Sequence, residues 1–430
     1  MNVLSRSPLT LSLFPLTLSL LAIMPSPARA QAQDRALEHA RKLLRSTPLI
    51  DGHNDLPWTI REATNAPRDV AAYDLRTRTP GHTDLARLAE GQVGAQFWSI
   101  YIPGDIKDSG YAKVQLEEFD IARRAIARYP ERLEFALGAD DIERSFKRGR
   151  IGSLLGMEGG HAIENSLGAL RSYYALGARY LTLTHNVTLD WADAAMDSTR
   201  HHGLTEFGRE VVREMNRLGM LVDLSHVSPA TMSDVLEVTE APVIFSHSSA
   251  RALTDHPRNV PDSILARLPK NGGVVMVTFV PAFVSPEVAA WEERFKEEEA
   301  RIRASVSDTA EMRRLAREYE AGNPRPRATL EQVADHIEHV RKVAGANHVA
   351  IGSDFDGIDT VPVGLEDVST FPRLFAELIR RGWSDADLRK LAGQNLLRAL
   401  RATEATAKRL QKTREPSTKT IEQLDRGLSP

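Results

Sequence analysis

The chain has 430 residues, with 55 basic and 58 acidic side chains, a net charge of −3 and no cysteine. Acids and bases this evenly mixed argue against a nucleic-acid binder. The lack of cysteine excludes disulfides and thiolate ligands, so any metal must be held by His, Asp and Glu. The first thirty residues read as a secretory signal peptide. Arg6 gives a short basic start, an apolar run extends from Leu9 to Met24, and Ala28-Arg29-Ala30 has the small-x-small pattern that a signal peptidase cuts. Cleavage is expected after Ala30. A retained membrane anchor is the weaker reading, because Pro15 interrupts a run that is already short for a span. Export without cysteine fits a bacterial periplasm or exterior.

About 400 residues remain, which suits one large α/β barrel as well as two average domains. Short apolar, β-branched runs alternate along them with charged amphipathic segments. Eight runs read as strands: Pro48–Asp51, Val93–Ile102, Ile151–Met157, Arg179–Thr184, Met220–Leu224, Pro242–Phe245, Gly273–Phe279 and His348–Gly352. Gln115–Tyr129, Leu167–Leu176, Thr205–Leu218, Pro229–Val238 and Leu330–Val343 read as helices between them. Strands buried on both faces give near-continuous apolar runs. Eight βα units in order predict a closed (β/α)8 TIM-like barrel over residues 31–401 rather than a doubly wound sheet. Residues 286–327, dense in Glu, Arg and Lys, read as a helical insertion between the seventh and eighth strands. The charged tail, 402–430, is expected to be a helix that frays into disorder.

Polar, metal-competent residues follow almost every strand. The first runs into His53-Asn54-Asp55; alternation on extended backbone puts His53 and Asp55 on one face and Asn54 on the other. The third ends at Glu158-Gly159-Gly160-His161, the fourth at His185, the fifth at His226, the sixth at His247 and the eighth at Asp354-Phe355-Asp356. A lone histidine after an apolar run is an ordinary core residue. Several at the carboxyl ends of different strands are not, because a barrel brings those ends to one face, where catalytic groups collect. His and carboxylate donors suit zinc. No lysine lies at these ends to form a carbamate bridge, so Glu158 reads as the ligand shared by two metals. His53 and Asp55 complete one site, and His226 and His247 the other. Two dications against two carboxylates and a bridging hydroxide leave a positive centre that activates water and polarises a carbonyl. Asp354, or Asp356 two residues on, is placed to shuttle a proton. His185 is free to donate to an oxyanion.

Seven segments resemble the membrane dipeptidase family, also called renal dipeptidases: Asp51–Trp58, Gly156–His161, Leu183–Asn186 with Trp191–Asp193, Asp223–Val227, Val243–Ala250, Arg258–Asp262 and Gly352–Gly357. They run in the family's order across residues 45 to 400. The resemblance implies a metal-dependent hydrolase barrel with two Zn2+ per chain bridged by a glutamate. It also implies hydrolysis of free dipeptides, including those ending in D- or dehydro-residues, with opening of some β-lactams. By motif, His53 and Asp55 bind one zinc, His226 and His247 the other, and Glu158 both. His185 contacts substrate, Asp354 handles the proton and Arg258 grips the substrate carboxylate. From the residues alone Arg258 is a solvated loop charge. A homodimer is the family's expectation. Two departures stand out: Phe279-Val-Pro-Ala-Phe283 offers no hydroxyl where some members carry a tyrosine, and the cysteines and lipid anchor of the mammalian proteins are missing. Another amidase or lactonase on the same centre, or a binding protein without catalysis, are the competing readings.

Overall fold

The computed structural model describes residues 27–106 and 110–425, with side chains from Asp34 onward. The expected signal segment lies outside the described residues up to position 26; Pro27–Leu44 forms the first helix. No helix among the described residues is long and apolar enough to cross a membrane.

Nine strands occur in chain order: β1 Leu49–Asn54, β2 Val93–Tyr101, β3 Leu133–Phe135, β4 Ile151–Glu158, β5 Ala178–Thr182, β6 Leu221–Asp223, β7 Val243–Phe245, β8 Val274–Val277 and β9 Val349–Ile351. All pairings are parallel. The sheet runs β2-β1-β9-β8-β7-β6-β5-β4, and β2 returns to β4 from Ala95↔Gly152 to Tyr101↔Glu158, so eight strands close into a barrel. These eight match the runs read from the sequence. The ninth, β3, was not anticipated. It is three residues long, only Leu133 of it is buried, and it pairs with Ile151–Ser153 just below the point where β5 takes over that edge of β4.

Inside the barrel, Ile50, Phe97, Leu154, Tyr180, Leu221, Ile244, Val274, Met276 and Ala350 pack as one cluster. Phe97 and Tyr180, on strands that are not neighbours, meet across the interior with ring centroids 5.1 Å apart. A larger cluster lies between the outer faces of the strands and the helices. The helices start and stop on local signals. Thr205 and Ser228 cap their helices by accepting from the N–H of Gly208 and Thr231, and Gly219 closes Glu206–Leu218 in the left-handed conformation.

Residues 286–322 form two helices, Pro286–Ser305 and Thr309–Gly322, after β8. Trp291 ties them together: its indole N–H donates to the carbonyl of Asn323 at 2.7 Å, and its ring stacks on Phe295. The tail departs from the expectation of disorder as far as Asp425. Asn395–Leu410 is helical, and the segment beyond it lies along the helix Glu206–Leu218. The Ser417 hydroxyl donates to Glu210 at 2.6 Å, its carbonyl accepts from Arg171 at 2.8 Å, and Asp425 accepts from the Phe207 N–H at 3.1 Å. Its partners sit some 200 positions away in sequence, and local composition carries no sign of them.

Candidate active site

The carboxyl ends of the strands open into a cavity of about 590 Å3 lined by Asp55, Glu158, His185, His226, His247, Arg258 and Asp354, among others. His53 lies fully buried beneath it. These eight of the residues singled out in the sequence therefore converge.

β1 delivers His53, and Asp55 comes one step past its end. The His53 Nδ1 faces the Tyr180 hydroxyl at 2.9 Å, which turns Nε2 toward Asp55 Oδ2 (3.2 Å) and Glu158 Oε2 (3.4 Å). Asn54 points away, donating to Thr83 and accepting from the Leu56 N–H. Tyr180 can lie here because the facing position on β4 is Gly156, where a Cβ would sit 2.0 Å from the phenol ring. Glu158 ends β4 with its two oxygens divided. Oε2 faces His53, while Oε1 lies 2.9 Å from His226 Nε2 and 3.3 Å from His247 Nε2.

The outer nitrogens show what the inner ones carry. His226 Nδ1 faces Asn186 Oδ1 at 3.1 Å. His247 Nδ1 faces the Ser246 hydroxyl at 2.9 Å, and that hydroxyl donates to Asp223 at 2.6 Å. Both Nδ1 atoms therefore hold the ring protons, and both Nε2 atoms present lone pairs, 2.9 Å apart, to Glu158. His53 Nε2 and Asp55 Oδ1 are likewise buried without a hydrogen-bond partner. Apart from the Ser99 hydroxyl, which donates to Glu158 Oε2 at 3.4 Å, these converging acceptors meet no donor among the described residues, an arrangement that a cation satisfies. Three overlapping sets have donor atoms within 4.8 Å of one another: His53, Glu158 and His247; Glu158, His185 and His226; and His53, Asp55 and Asp354. The donor set thus fits a metal bound by imidazole and carboxylate, with Glu158 common to two groups.

The charges agree. Burial opposes ionisation of Glu158, but the surrounding imidazoles outweigh it and hold the carboxyl well below its usual range. Burial likewise opposes a charged His53, yet the Tyr180 phenol and the Asp55 and Glu158 carboxylates around it raise it well above its ordinary value. Burial lowers His185, which has no hydrogen-bond partner among the described residues and stays neutral at the cavity wall.

Asp354 and Asp356 do not face the same way, contrary to strand alternation. Both have left-handed backbone, φ 69° and 65°, which breaks the extended geometry after β9. Asp354 Oδ1 lies 3.9 Å from His53 Nε2, whereas Asp356 Oδ1 accepts from the His82 N–H at 2.6 Å. Gly357 lets this loop close, since a Cβ there would meet Asp55 Oδ2 at 2.3 Å and Asp354 Oδ1 at 2.7 Å. His226, with φ 69°, is the third left-handed residue of the site. His161, although it comes just after β4, faces away and pairs with the Ile102 carbonyl at 3.0 Å.

Arg258 is 2% exposed. Among the described residues it has no carboxylate within ion-pair distance; its contacts are the Ser248 hydroxyl and His247 carbonyl, both at 3.5 Å, and the Phe283 ring. Sequence reading missed several residues of the cavity wall: Trp58, Tyr101, Asn186, His256 and Glu292. Tyr101 had a usable signal, since it closes β2 at the same face. Glu292 had none, because it comes from the inserted helices.

A family model described as membrane dipeptidase (Peptidase family M19) matches residues 37–414. Solved structures agree with it. The probable dipeptidase PvdM from Pseudomonas aeruginosa is 25% identical, with TM-score 0.76 over 87% of this chain and 100% of that one. A metallo peptidase from Rhodobacter sphaeroides, liganded with a phosphinate mimic of the dipeptide L-Ala-D-Ala, is 26% identical, with TM-score 0.69 over 83% and 99%. The metallo peptidase called dipeptidase AC is also 26% identical, with TM-score 0.69 over 83% and 98%. A parallel barrel whose strand ends gather unpaired His and carboxylate donors, matched along nearly its whole described length, places this chain in the membrane dipeptidase family of metal-dependent hydrolases.

Proposed function

We propose that the protein is a dizinc dipeptidase acting on free dipeptides, exported through its N-terminal apolar segment and homodimeric like the family it belongs to. The observation that carries the substrate reading is Arg258: a buried cation with no carboxylate in ion-pair distance among the described residues, on the wall of the cavity that holds the metal-capable cluster. A substrate α-carboxylate fits that guanidinium fork, and a longer peptide would place its carboxylate elsewhere. Tolerance of a C-terminal D-residue is proposed on the likeness to the Rhodobacter sphaeroides enzyme and its ligand.

In this reading His53 and Asp55 would hold one zinc, His226 and His247 the other, and Glu158 would serve both. When bound, the two zinc ions activate a water and polarise the scissile carbonyl. The remaining steps fall to side chains of the chain. Arg258 fixes the carboxylate end and so the reach of the peptide bond. His185, neutral at the wall, donates to the carbonyl oxygen as charge develops on it. Asp354 takes the proton released by the attacking water and returns it to the departing amine.

Turnover of L-Ala-D-Ala tests this. Chelation is expected to abolish hydrolysis and zinc to restore it, with two zinc per chain. Glu158→Gln is expected to lose metal and activity together; full turnover with two metals retained would exclude the bridging role. The carboxy-terminal amide of the dipeptide is expected to be a poor substrate. Equal turnover of amide and acid would favour a general amidase instead.

A further inference from the structure

The wall beside Arg258 contains a second donor. His256 lines the cavity, and its Nδ1 accepts the backbone N–H of Arg258 at 3.2 Å. An accepting Nδ1 puts the proton of a neutral imidazole on Nε2, which has no hydrogen-bond partner among the described residues. Burial, together with the charges of Arg258 and Arg251, holds His256 down to about 4, so the ring is neutral at working pH. Phe283 locks the arrangement. The imidazole lies against its ring at 4.4 Å and 30°, and the Arg258 guanidinium sits over the same ring at 5.2 Å. Asn259 fastens this plate to the loop, donating to both the Thr254 and Phe283 carbonyls at 2.9 and 2.8 Å.

We propose that His256 and Arg258, both held against Phe283, form a two-donor clamp for the carboxylate of the substrate's C-terminal residue. One group brings charge and the other a fixed N–H, and neither can accept a hydrogen bond from the ligand. A cation and a donor side by side select an anionic acceptor, not an amide or a hydrocarbon side chain. Phe283 is a part of the clamp: its ring is the surface against which both partners are held. The proposal rests on the dipeptidase reading and deepens it on the substrate side.

The test uses the zinc-loaded full chain and the phosphinate mimic of L-Ala-D-Ala as probe, with L-Ala-D-Ala turnover measured separately. His256→Asn keeps an acceptor for the N–H two residues on, as Asn does in turns, but removes the distant Nε2–H. The variant is expected to bind the mimic about tenfold more weakly or worse. Its KM for the dipeptide should rise in parallel, with kcat within about twofold and an unchanged melting temperature. The carboxy-terminal amide of the mimic is expected to bind wild type and variant equally. Unchanged affinity for the mimic in His256→Asn overturns the clamp and leaves His256 a loop-holding residue. So does a loss that the amide shares in full. Tight mimic binding without dipeptide turnover by the wild type overturns the dipeptidase reading, while the ratio of the two affinities still decides the clamp. No binding of the mimic to the wild type overturns both.

Discussion

Tyr180, Asn186 and Ser246 each sit behind one imidazole of the cluster and set which nitrogen faces inward. Outer partners of this kind fix tautomer and ring orientation, and their loss costs 10–100-fold in metal affinity in typical sites. Tyr180→Phe keeps the ring that Gly156 accommodates and removes only the hydroxyl. It is expected to weaken zinc binding by about tenfold or more with the fold intact, as read by competition against a chelating dye alongside circular dichroism. Unaltered affinity would make Tyr180 a packing residue. Arg258→Ala removes the cation rather than a metal ligand. Its KM for a dipeptide is expected to rise by about a hundredfold, the loss of a charged hydrogen-bonded contact of roughly 3 kcal/mol. The metal content should not change.

At the scale of elements, the barrel holds the metal-capable side chains on strand ends and the turns just after them, while the helix pair after β8 reaches the cavity from outside. Glu292 belongs to that pair and lines the cavity, where it meets Arg325. The pair depends on a small contact set. Trp291 is almost fully buried, and no residue of Thr309–Gly322 is. Trp291→Ala is therefore expected to loosen residues 286–322 locally rather than unfold the barrel. Removing a buried tryptophan costs about 3 kcal/mol or more, which corresponds to amide exchange faster by roughly a hundredfold. Exchange confined to that segment, read by mass spectrometry with zinc content unchanged, is the expected pattern. Loosening that spreads to the barrel strands would show the helices to be integral to the core.

Across the whole molecule, buried titratable groups set how stability varies with pH. Burial holds His161, His256 and His336 down to about 4, whereas an unfolded histidine titrates near 6.5. Between those values the unfolded chain carries three protons that the folded chain refuses, so these sites lose stability as pH falls from about 6.5 toward 4. Burial raises Asp51 to about 6 and both Glu118 and Asp354 to about 8, so the folded chain keeps three protons that unfolded carboxylates have released. Between about pH 4.5 and 6 these offset the three histidine protons, and the two sets of buried groups nearly cancel. Metal binding then sets the sign, because protons compete with the metal for the His and carboxylate donors. The denaturant midpoint of the metal-loaded chain is expected to fall between about pH 6 and 5 while that of the chelated chain stays nearly level; equal falls in both would mean that the histidines outweigh the carboxyls.

The sequence by itself determined the barrel and the identity of its candidate ligands. Strands buried on both faces must be written as apolar runs, and barrel closure gathers the residues at their carboxyl ends onto one face. His53, Glu158, His226 and His247 were therefore legible one strand at a time. Tertiary structure decided whatever depends on contacts between distant segments. Left-handed backbone turned Asp354 to the cluster and Asp356 to His82. Closure of β2 on β4 brought Tyr180 behind His53, and folding buried Arg258 against Phe283 with no carboxylate in ion-pair distance among the described residues. β3 was too short and too exposed to carry a pattern. The tail found its partners on a helix about 200 residues earlier. Periodicity records which face of an element is buried; it holds no trace of which residue, far along the chain, will lie against it.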